Sequence, residues 1–411
     1  MKYFLMFWAV LSAFGFSVAQ ADVQADELEG RLGSVAVKAQ RFALLSPQPS
    51  GFESNDKIVF DYYAPRGSAS GSAKGEIGKA PAIILLHQLM LFNVNGDPTH
   101  YMQQAAQYVA ERGVAAAVIT LPYHGKRAVP GRPPISRFIS GDAAAVEQAF
   151  SQSVADVRAV TDWLAMRPDI DAQRLACFGA SLGAIVTHLA MGQDERLRAG
   201  VAVLGGGNLA SFKDQSFLVR FVLKNSVKKL NEEQLKTLSR VDPLTYADKN
   251  RPRQVLMIQA ARDMFISPQA ATSLWEALGR PPLRWIDTNH MALILSPQSA
   301  IRAALSFIEA SWNGATPAEA AAQTPDITVP TLKFGWLTGL DSRLTPAIQY
   351  QALTLGSRKH MSLFGANLGL SGRGPFVGLA ATATPFIDLG FAYRLNGGQG
   401  LKPYASFHVV F

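Results

Sequence analysis

The stretch FGASLG at residues 178–183 decides the fold of this chain. It contains the pattern Gly-x-Ser-x-Gly, with the apolar run of residues 175–178 before it and an apolar, helix-like segment after it. A strand, a sharp turn and a helix in this order hold a serine hydroxyl at a helix N-terminus, beside backbone N–H groups that bind an oxyanion. Gly179 and Gly183 are expected where a Cβ atom would collide with the crossing strand or helix. The pattern predicts that Ser181 is a nucleophile.

Mostly apolar runs alternate with helical patterns on both sides of this turn. The run at residues 80–86 is unbroken, as is typical of a strand buried on both faces of a parallel sheet. The runs lie at residues 80–86, 114–121, 199–204, 254–260 and 283–287, and the main helical segments at residues 99–112, 268–278 and 297–312. Two further runs, at residues 35–45 and 57–63, predict antiparallel strands at a sheet edge. The sequence therefore predicts an α/β fold with a mostly parallel sheet.

The composition of the chain limits its class. Its 411 residues are 48% apolar and 17% charged, which allows a large core and more than one domain and is not typical of disorder. The net charge is +8, but the basic residues are scattered and no nucleic-acid-binding motif accompanies them. We find no metal-ligand cluster, phosphate loop or nucleotide-binding pattern, so we expect no cofactor, no metal and no nucleic acid.

Residues 1–21 have the pattern of a secretory signal peptide. Lys2 gives the positive start, residues 4–16 the apolar stretch, and residues 19–21 (AQA) the cleavage site. An uncleaved membrane anchor is the alternative, which the short apolar run disfavours. Cys177 is the only cysteine, so the chain cannot form an internal disulfide. We expect export to the periplasm or outer membrane of a Gram-negative bacterium.

The partners of Ser181 are predicted from chain order. His290 and Asp263 each follow a predicted core strand, which gives the order Ser, Asp, His with all three at the carboxyl ends of strands. Taken singly, Asp263 could cap a helix and His290 could be an ordinary loop histidine. Of the other histidines, His188 lies two turns along the helix and is expected to pack in the core, and His87 ends a strand. The order and the positions together favour a catalytic triad.

Four further residues are candidates for the site. The N–H groups of Leu182 and Gln88 are predicted to form the oxyanion hole, although no His-Gly-Gly sequence follows the strand that precedes Gln88. Tyr123 and Arg127 belong to the segment LPYHGKR at residues 121–127 and are candidate substrate contacts. Arg127 would bind an anionic substrate group, and a structural role for it is the alternative.

These features resemble the α/β-hydrolase superfamily, and most closely bacterial serine esterases of its dienelactone-hydrolase-like and prolyl-oligopeptidase-like group. The resemblance covers residues 35–312 and depends on residues 179–183, residues 121–127, residues 242–244 (DPL), Asp263 and His290. It implies an eight-stranded, mostly parallel sheet flanked by helices. Dienelactone hydrolases use cysteine where this chain has serine, so the expected reaction is hydrolysis of a small-molecule or lipid ester through an acyl-enzyme. A serine peptidase, or a non-catalytic adhesion or assembly module on a hydrolase scaffold, is the alternative.

The predicted domains follow from changes of pattern. The hydrolase domain is expected at residues 33–312, and residues 208–250 within it break the alternation of strands and helices. This insertion is interpreted as a helical lid over the strand ends, or as a solvated helical excursion. It carries a basic patch at Lys224, Lys228 and Lys229. A linker rich in Ala, Pro and Gly is predicted at residues 313–330.

Residues 331–411 form an antiparallel β domain in this prediction. Apolar and small or polar residues alternate in five runs, at residues 331–340, 347–355, 359–370, 376–395 and 401–411, and Asn396 begins a predicted hairpin turn. Such strands resemble the last strands of an outer-membrane barrel. Five or six strands are too few to close a single-chain barrel of the known size, about eight strands. We therefore expect either a barrel shared between chains, as in trimeric autotransporters, with homo-oligomerisation through these strands, or a soluble β-meander.

Overall fold

The computed structural model describes residues 39–66, 78–90, 97–223, 230–295, 297–329, 331–340, 344–358, 361–384, 387–396 and 400–410. The predicted signal peptide at residues 1–21 and the basic patch of Lys224, Lys228 and Lys229 lie outside the described residues. None of the helices within the described ranges is long and apolar enough to cross a membrane.

The first part of the described chain builds an eight-stranded sheet. Its strands lie in the order β1-β2-β4-β3-β5-β6-β7-β8. The pairs β1–β2 and β2–β4 are antiparallel, and all other pairs are parallel. The predicted fold, an α/β-hydrolase fold with a mostly parallel sheet, is confirmed. The strands are β1 Gln40–Leu45, β2 Lys57–Tyr63, β3 Ala80–Leu86, β4 Ala115–Ile119, β5 Ile170–Ala180, β6 Leu197–Val203, β7 Gln254–Ala260 and β8 Leu283–Ile286.

Helices flank this sheet, and the main core lies between them and the strands. The long helix α3 begins at Asp142, whose carboxylate accepts hydrogen bonds from two backbone N–H groups of the first turn, and its apolar face is buried against the sheet. The helices are α1 His100–Ala110, α2 Ile135–Phe138, α3 Ala143–Ala165, α4 Leu182–Gln193, α5 Phe212–Gln215, α6 Phe217–Leu223, α7 Glu232–Ser239, α8 Ala247–Asn250, α9 Pro268–Ala277, α10 His290–Leu295, α11 Gln298–Trp312 and α12 Pro317–Ala322.

The strand ends bring the predicted triad to one edge of the sheet. Ser181 directly follows β5, Asp263 comes three residues after β7, and His290 comes four residues after β8. Because β5, β6, β7 and β8 are adjacent and parallel, their carboxyl ends lie at the same edge. The sheet therefore determines where the three side chains can meet.

Two segments outside the alternation of core strands and helices also contain helices. Residues 208–250 contain α5 to α8, and several of their side chains lie over the pocket at Ser181. The predicted linker at residues 313–330 instead holds the short helix α12, which Thr316 and Glu319 cap reciprocally and which packs through Ala320 and Ala321. The alanines give the segment a small apolar face, which explains why it packs as a helix despite its linker-like composition.

The last part of the chain is a closed antiparallel barrel of six strands, in the order β10-β11-β12-β13-β14-β9. Pairing of β14 with β9 closes it within one chain, so the expectation that five or six strands could not close alone is corrected. The predicted run at residues 376–395 is two strands. The strands are β9 Thr331–Thr338, β10 Thr345–Arg358, β11 Met361–Ser371, β12 Gly374–Thr384, β13 Ile387–Arg394 and β14 Lys402–Val410.

Candidate active site

The turn between β5 and α4 holds Ser181 in a strained conformation. Its backbone has φ 54° and ψ −112°, a region that non-glycine residues rarely adopt. A Cβ atom on Gly179 would lie 2.1 Å from the carbonyl oxygen of Gly183, and one on Gly183 would lie 2.2 Å from the carbonyl oxygen of Leu86. The two glycines therefore permit the close approach of strand and helix that the sequence pattern predicts.

The three predicted catalytic side chains lie within hydrogen-bonding distance of one another. His290 Nε2 lies 2.9 Å from Ser181 Oγ, and His290 Nδ1 lies 2.7 Å from Asp263 Oδ2. His290 and Asp263 are buried, whereas Ser181 is partly exposed and borders a pocket. This geometry lets the imidazole take the serine proton while the carboxylate holds the tautomer with Nδ1–H.

The loop after β7 fixes Asp263. Its Oδ1 accepts hydrogen bonds from the backbone N–H groups of Phe265 and Ile266, at 2.8 and 2.9 Å. Its other oxygen, Oδ2, is thereby aimed at His290. The ring of Phe265 lies edge-on to the imidazole with centroids 5.0 Å apart. Asp263 thus acts as a turn cap, which was the alternative for this residue, and orients the histidine at the same time.

The predicted oxyanion donors are brought next to the nucleophile. Leu182 and Gln88 both line the pocket that contains Ser181 and His290. Contact between Gly183 and the end of β3 sets the start of α4 against the loop that carries Gln88. The N–H groups of these two residues thus stay the predicted donors to a tetrahedral intermediate on Ser181.

A pair of buried histidines holds the loop that carries Gln88. His87 Nδ1–H donates to the carbonyl oxygen of Gln88 at 2.7 Å, and His87 Nε2 accepts from the N–H of Leu121 at 3.0 Å. Burial lowers the pKa of His87 to about 4, so the ring is neutral and can use both nitrogens in this way. Its ring lies edge-on to that of His124, with centroids 4.7 Å apart.

His124 supports the same loop from the other side. Its Nδ1 donates to the carbonyl oxygen of Pro122 at 2.8 Å, and its Nε2 accepts from the N–H of Met90 at 3.4 Å. The sequence placed His87 at a strand end and His124 in a loop but assigned neither a role. The sequence signal was a histidine directly after one buried run and another three residues after the end of the next run, and their roles depend on the contact between the two loops.

Arg127 and Tyr123 have structural roles in place of the predicted substrate contacts. The Arg127 guanidinium is fully buried, pairs with Asp156 at 2.7 Å, and donates to the carbonyl oxygens of Asn55 and Thr120. Tyr123 is buried at φ 65°, and its hydroxyl lies 2.7 Å from the side-chain oxygen of Gln148. Neither residue lines the pocket at Ser181, because both side chains are buried among these partners.

The pocket at Ser181 is largely apolar and has a volume of about 210 Å³. The insertion at residues 208–250 contributes much of its wall. Apart from His290, His100 and Tyr101, its ionisable lining residues are Asp97 and Lys213. Apolar residues that line it include Phe138, Phe150, Leu209, Phe212, Leu223 and Ile294. In the part of the chain that the structure describes, no group of three or more His, Cys, Asp or Glu side chains is arranged to hold a metal ion.

Comparison with known proteins places this site among hydrolases. The model of the prolyl oligopeptidase family matches residues 144–291, about a third of the chain. An uncharacterized protein of Mycobacterium tuberculosis (strain ATCC 25618 / H37Rv) is 32% identical over 109 residues, which are 26% of this chain and 31% of that protein. This chain thus matches about a third of the length of that relative.

Two solved structures are similar in fold. Puromycin hydrolase matches with a TM-score of 0.50 and 19% identity, over 71% of this chain and 41% of that chain. The acylaminoacyl peptidase of Pyrococcus horikoshii matches with a TM-score of 0.49 and 16% identity, over 69% of this chain and 43% of that chain. At these identities the likeness shows the fold alone. Together, the triad geometry and the family match support a serine hydrolase on an α/β-hydrolase fold.

Proposed function

We propose that this protein is a serine hydrolase that cleaves carboxylic esters with apolar acyl groups. The observation that carries the proposal is a complete Ser181–His290–Asp263 triad that opens into a pocket with few polar side chains. A pocket of this kind binds an acyl chain by removing apolar surface from water, without leaving buried polar groups unpaired.

The reaction follows from the geometry of the triad. Ser181 Oγ attacks the acyl carbon while its proton passes to His290 Nε2, and the carbonyl π electrons move onto the oxygen. The N–H groups of Leu182 and Gln88 stabilise this oxyanion. The imidazolium then gives its proton to the leaving alkoxide, which departs as the alcohol. Water, deprotonated by His290, attacks the acyl-enzyme and releases the acid and free Ser181.

A serine peptidase is the second candidate, and the match to the prolyl oligopeptidase family favours it. A peptide with a free amino terminus would need a carboxylate in the pocket to bind its ammonium group. Asp97 is the one acidic residue that lines the pocket among the described side chains. Its carboxylate already accepts hydrogen bonds from Thr99 and Gln103, which lower its pKa against the opposing effect of burial. Asp97 is thus committed to its own loop, and the ester proposal takes precedence.

Parallel panels of p-nitrophenyl esters and aminoacyl p-nitroanilides test the two candidates with the same readout. We expect kcat/KM to rise by about tenfold or more from the acetate to medium-chain esters, because each buried CH₂ contributes about 0.8 kcal/mol. The anilides should be cleaved much more slowly, and Ser181→Ala should abolish both activities. Faster cleavage of any anilide than of every ester would establish the peptidase instead. A lack of Ser181-dependent turnover of either panel would favour a non-catalytic adhesion or assembly module.

We also propose that the chain is exported and works at the outer membrane of a Gram-negative bacterium. The pattern of residues 1–21 supports export. Expression in such a host, followed by N-terminal sequencing of the mature protein, tests this directly. We expect the mature chain to begin at Asp22 and to separate from the cytoplasmic fraction. A cytoplasmic chain that still starts at Met1 would contradict the proposal.

A further inference from the structure

The interior of the barrel is polar at one end. Lys333 and Asp388 form a buried ion pair there, and His408 Nδ1 lies 4.0 Å from the same carboxylate. The side-chain amide of Gln349 donates to Ser406 Oγ beside them. The other end of the interior is filled by a small apolar cluster that includes Leu337, Phe376 and Tyr404. Lys333 and Asp388 thus point into the interior at this end of the barrel, among other polar side chains.

The outer surface of the barrel is apolar on every strand. Leu379 is 66% exposed and Phe391 is 55% exposed. In a water-soluble β-barrel, polar residues occupy positions with this degree of exposure. The exposed apolar or aromatic side chains on the strands are Trp336, Tyr350, Leu368, Leu370, Leu379, Leu389, Phe391, Tyr393 and Phe407. Alternate positions between them, including Asn367, Asp388, Ser406 and His408, are buried. The polarity of the barrel is therefore inverted relative to a soluble protein.

No outward-facing strand position among the described side chains carries a charge. The charged side chains described on the six strands are Lys333, Asp388, Arg394 and Lys402. The first two are buried in the interior, Arg394 donates inward to Ser371 and the carbonyl of Gly374, and Lys402 lies at the first position of β14. An uncharged apolar outer face is what hydrocarbon requires, because a charge there costs about 2–4 kcal/mol at the bilayer centre.

We propose that this barrel spans a lipid bilayer as a single-chain, six-stranded unit. Its strands have eight to 14 residues, and a membrane-spanning strand needs about 9–11. A second copy of the chain would cover one side of the barrel, since a two-fold interface is a single self-complementary patch. The apolar face here continues around all six strands, so lipid is the occupant that can cover the whole of it.

The topology fixes which side of the membrane the hydrolase occupies. The first residues of β9 pair with the last residues of β14, so both ends of the barrel segment lie at the same end, next to the hydrolase. At that end, two residues separate β10 from β11 and two separate β12 from β13. At the opposite end, six residues separate β9 from β10, two separate β11 from β12 and seven separate β13 from β14. Membrane barrels have an even number of strands, short periplasmic turns and longer outer loops, which places the hydrolase in the periplasm.

One charged residue beside the catalytic loop lies within electrostatic range of this end of the barrel. Arg262 directly precedes the catalytic Asp263, and its guanidinium pairs with Asp287 at 3.4 Å. Burial lowers the pKa of Arg262, and the carboxylates of Asp287 and of Asp388 in the barrel both act in the opposite direction.

Vesicle flotation of the full-length protein tests insertion. The purified chain is mixed from detergent with phosphatidylethanolamine and phosphatidylglycerol, floated, and washed with alkaline carbonate. We expect the wild type to stay with the vesicles and the double variant Leu379→Asp/Phe391→Asp to lose about tenfold or more of its retention. Met166→Asp is the matched control, because Met166 is 77% exposed on the hydrolase. Turnover of a soluble ester by each variant shows that the hydrolase has folded.

Two results would overturn insertion. One is equal retention of the double variant and the wild type on carbonate-washed vesicles. The other is a wild type that stays dimeric without detergent and becomes monomeric in the double variant, which would make a second copy the occupant. Either result leaves Ser181-dependent turnover of soluble esters intact, so failure of the barrel proposal and failure of the proposed reaction are distinguishable.

Cysteine labelling in intact cells tests the topology without disturbing the barrel wall. Arg373→Cys lies in the exposed turn between β11 and β12, and Met166→Cys lies on the hydrolase. The native Cys177 is buried, so it does not react in either variant. A membrane-impermeant maleimide should label Arg373→Cys in intact cells and Met166→Cys only after the outer membrane is broken. The reverse order, or equal labelling of both in intact cells, would contradict the assigned orientation.

Discussion

The hydrolase and the barrel distribute polarity in opposite ways. In the hydrolase, apolar strands such as β3 and β4 are buried, and charged side chains such as Lys57 and Glu53 are exposed. In the barrel, charged and amide side chains are buried beside a small apolar cluster, and large apolar and aromatic side chains are exposed. Both parts belong to one chain, so composition averaged over all residues hides the difference. A buried polar residue therefore departs from the general pattern in the hydrolase and follows it in the barrel.

A buried ion pair occurs in both parts and shows this contrast directly. Arg127 and Asp156 are both fully buried in the hydrolase, where Arg127 also donates to backbone carbonyl oxygens and Asp156 accepts from the Ser46 hydroxyl. Lys333 and Asp388 are equally buried, but Gln349, Ser406 and His408 lie around them. In the hydrolase, the positive charge that acts on Asp156 comes from Arg127, whereas in the barrel Asp388 faces both Lys333 and the titratable His408.

The largest expected effect separates catalysis from attachment. Ser181→Ala should lower kcat for the preferred ester by about 10⁴-fold or more, because no other side chain of the triad can form the acyl-enzyme. The same variant should float with vesicles as the wild type does. Measurement of turnover and flotation on one preparation checks both points. Ser136→Ala, outside the pocket, is the control and should change neither. Loss of vesicle binding in Ser181→Ala would contradict the assignment of catalysis to the hydrolase and of attachment to the barrel.

The next largest effect concerns the hydrolase ion pair. Arg127→Met should destabilise the hydrolase by about 3–5 kcal/mol, because Asp156 would remain as an uncompensated buried charge. Urea unfolding followed through the loss of ester turnover measures this. The double variant Arg127→Met/Asp156→Leu should recover most of the loss. Lys57→Met, which removes an exposed pair with Glu53, is the control and should show no measurable change. A double variant no more stable than the single one would contradict the interpretation.

Acid should destabilise the hydrolase through its buried histidines. Burial lowers the pKa of His87 and of His188 to about 4, whereas both titrate near 6.5 when unfolded. The unfolded chain therefore binds protons first, so the stabilisation is complete above pH 6.5 and declines as the pH falls toward 4. Neither ring nitrogen of His188 has a hydrogen-bond partner among the described residues. It is the suitable position for a test.

His188→Leu should remove its share of this pH dependence. Between pH 8 and pH 5 the wild type should lose roughly 2 kcal/mol more than the variant, since one pKa unit corresponds to about 1.4 kcal/mol. Urea unfolding at the two pH values measures the difference. Parallel losses in the two proteins would show that His188 is not the group that takes up the proton.

Most of the fold and the triad could be predicted because they depend on local pattern and chain order. Ser181 lies in a motif, and Asp263 and His290 follow strands whose adjacency the α/β pattern implies. The role of His87 could not be predicted, since it depends on a contact with the loop of His124. An arginine in a loop can line a pocket or form a buried ion pair. The sequence does not distinguish these two roles for Arg127, because they differ in the burial of the side chain.

Barrel closure was missed for a related reason. The run at residues 376–395 alternates throughout, so nothing in its periodicity marks the break between β12 and β13. Closure also depends on pairing between β9 and β14, the two ends of the segment, and single-strand patterns do not report such pairing. The outward apolar pattern itself was visible in the sequence, because alternation assigns faces before any pairing is known.

The smallest expected effect belongs to the barrel ion pair. Lys333→Met should destabilise the barrel by about 1 kcal/mol, less than the loss from Arg127→Met in the hydrolase, because a proton on His408 can replace the lost cation beside Asp388. The loss should therefore be smaller at pH 5 than at pH 8. The thermal midpoint of the gel-mobility shift between folded and unfolded barrel, in detergent, measures it at both pH values. With His408→Phe added, the pH difference should disappear. A loss of stability that equals that of Arg127→Met and does not change with pH would contradict this prediction. An unpaired charge would then cost as much in the barrel interior as in the hydrolase core, and the two ion pairs would not differ.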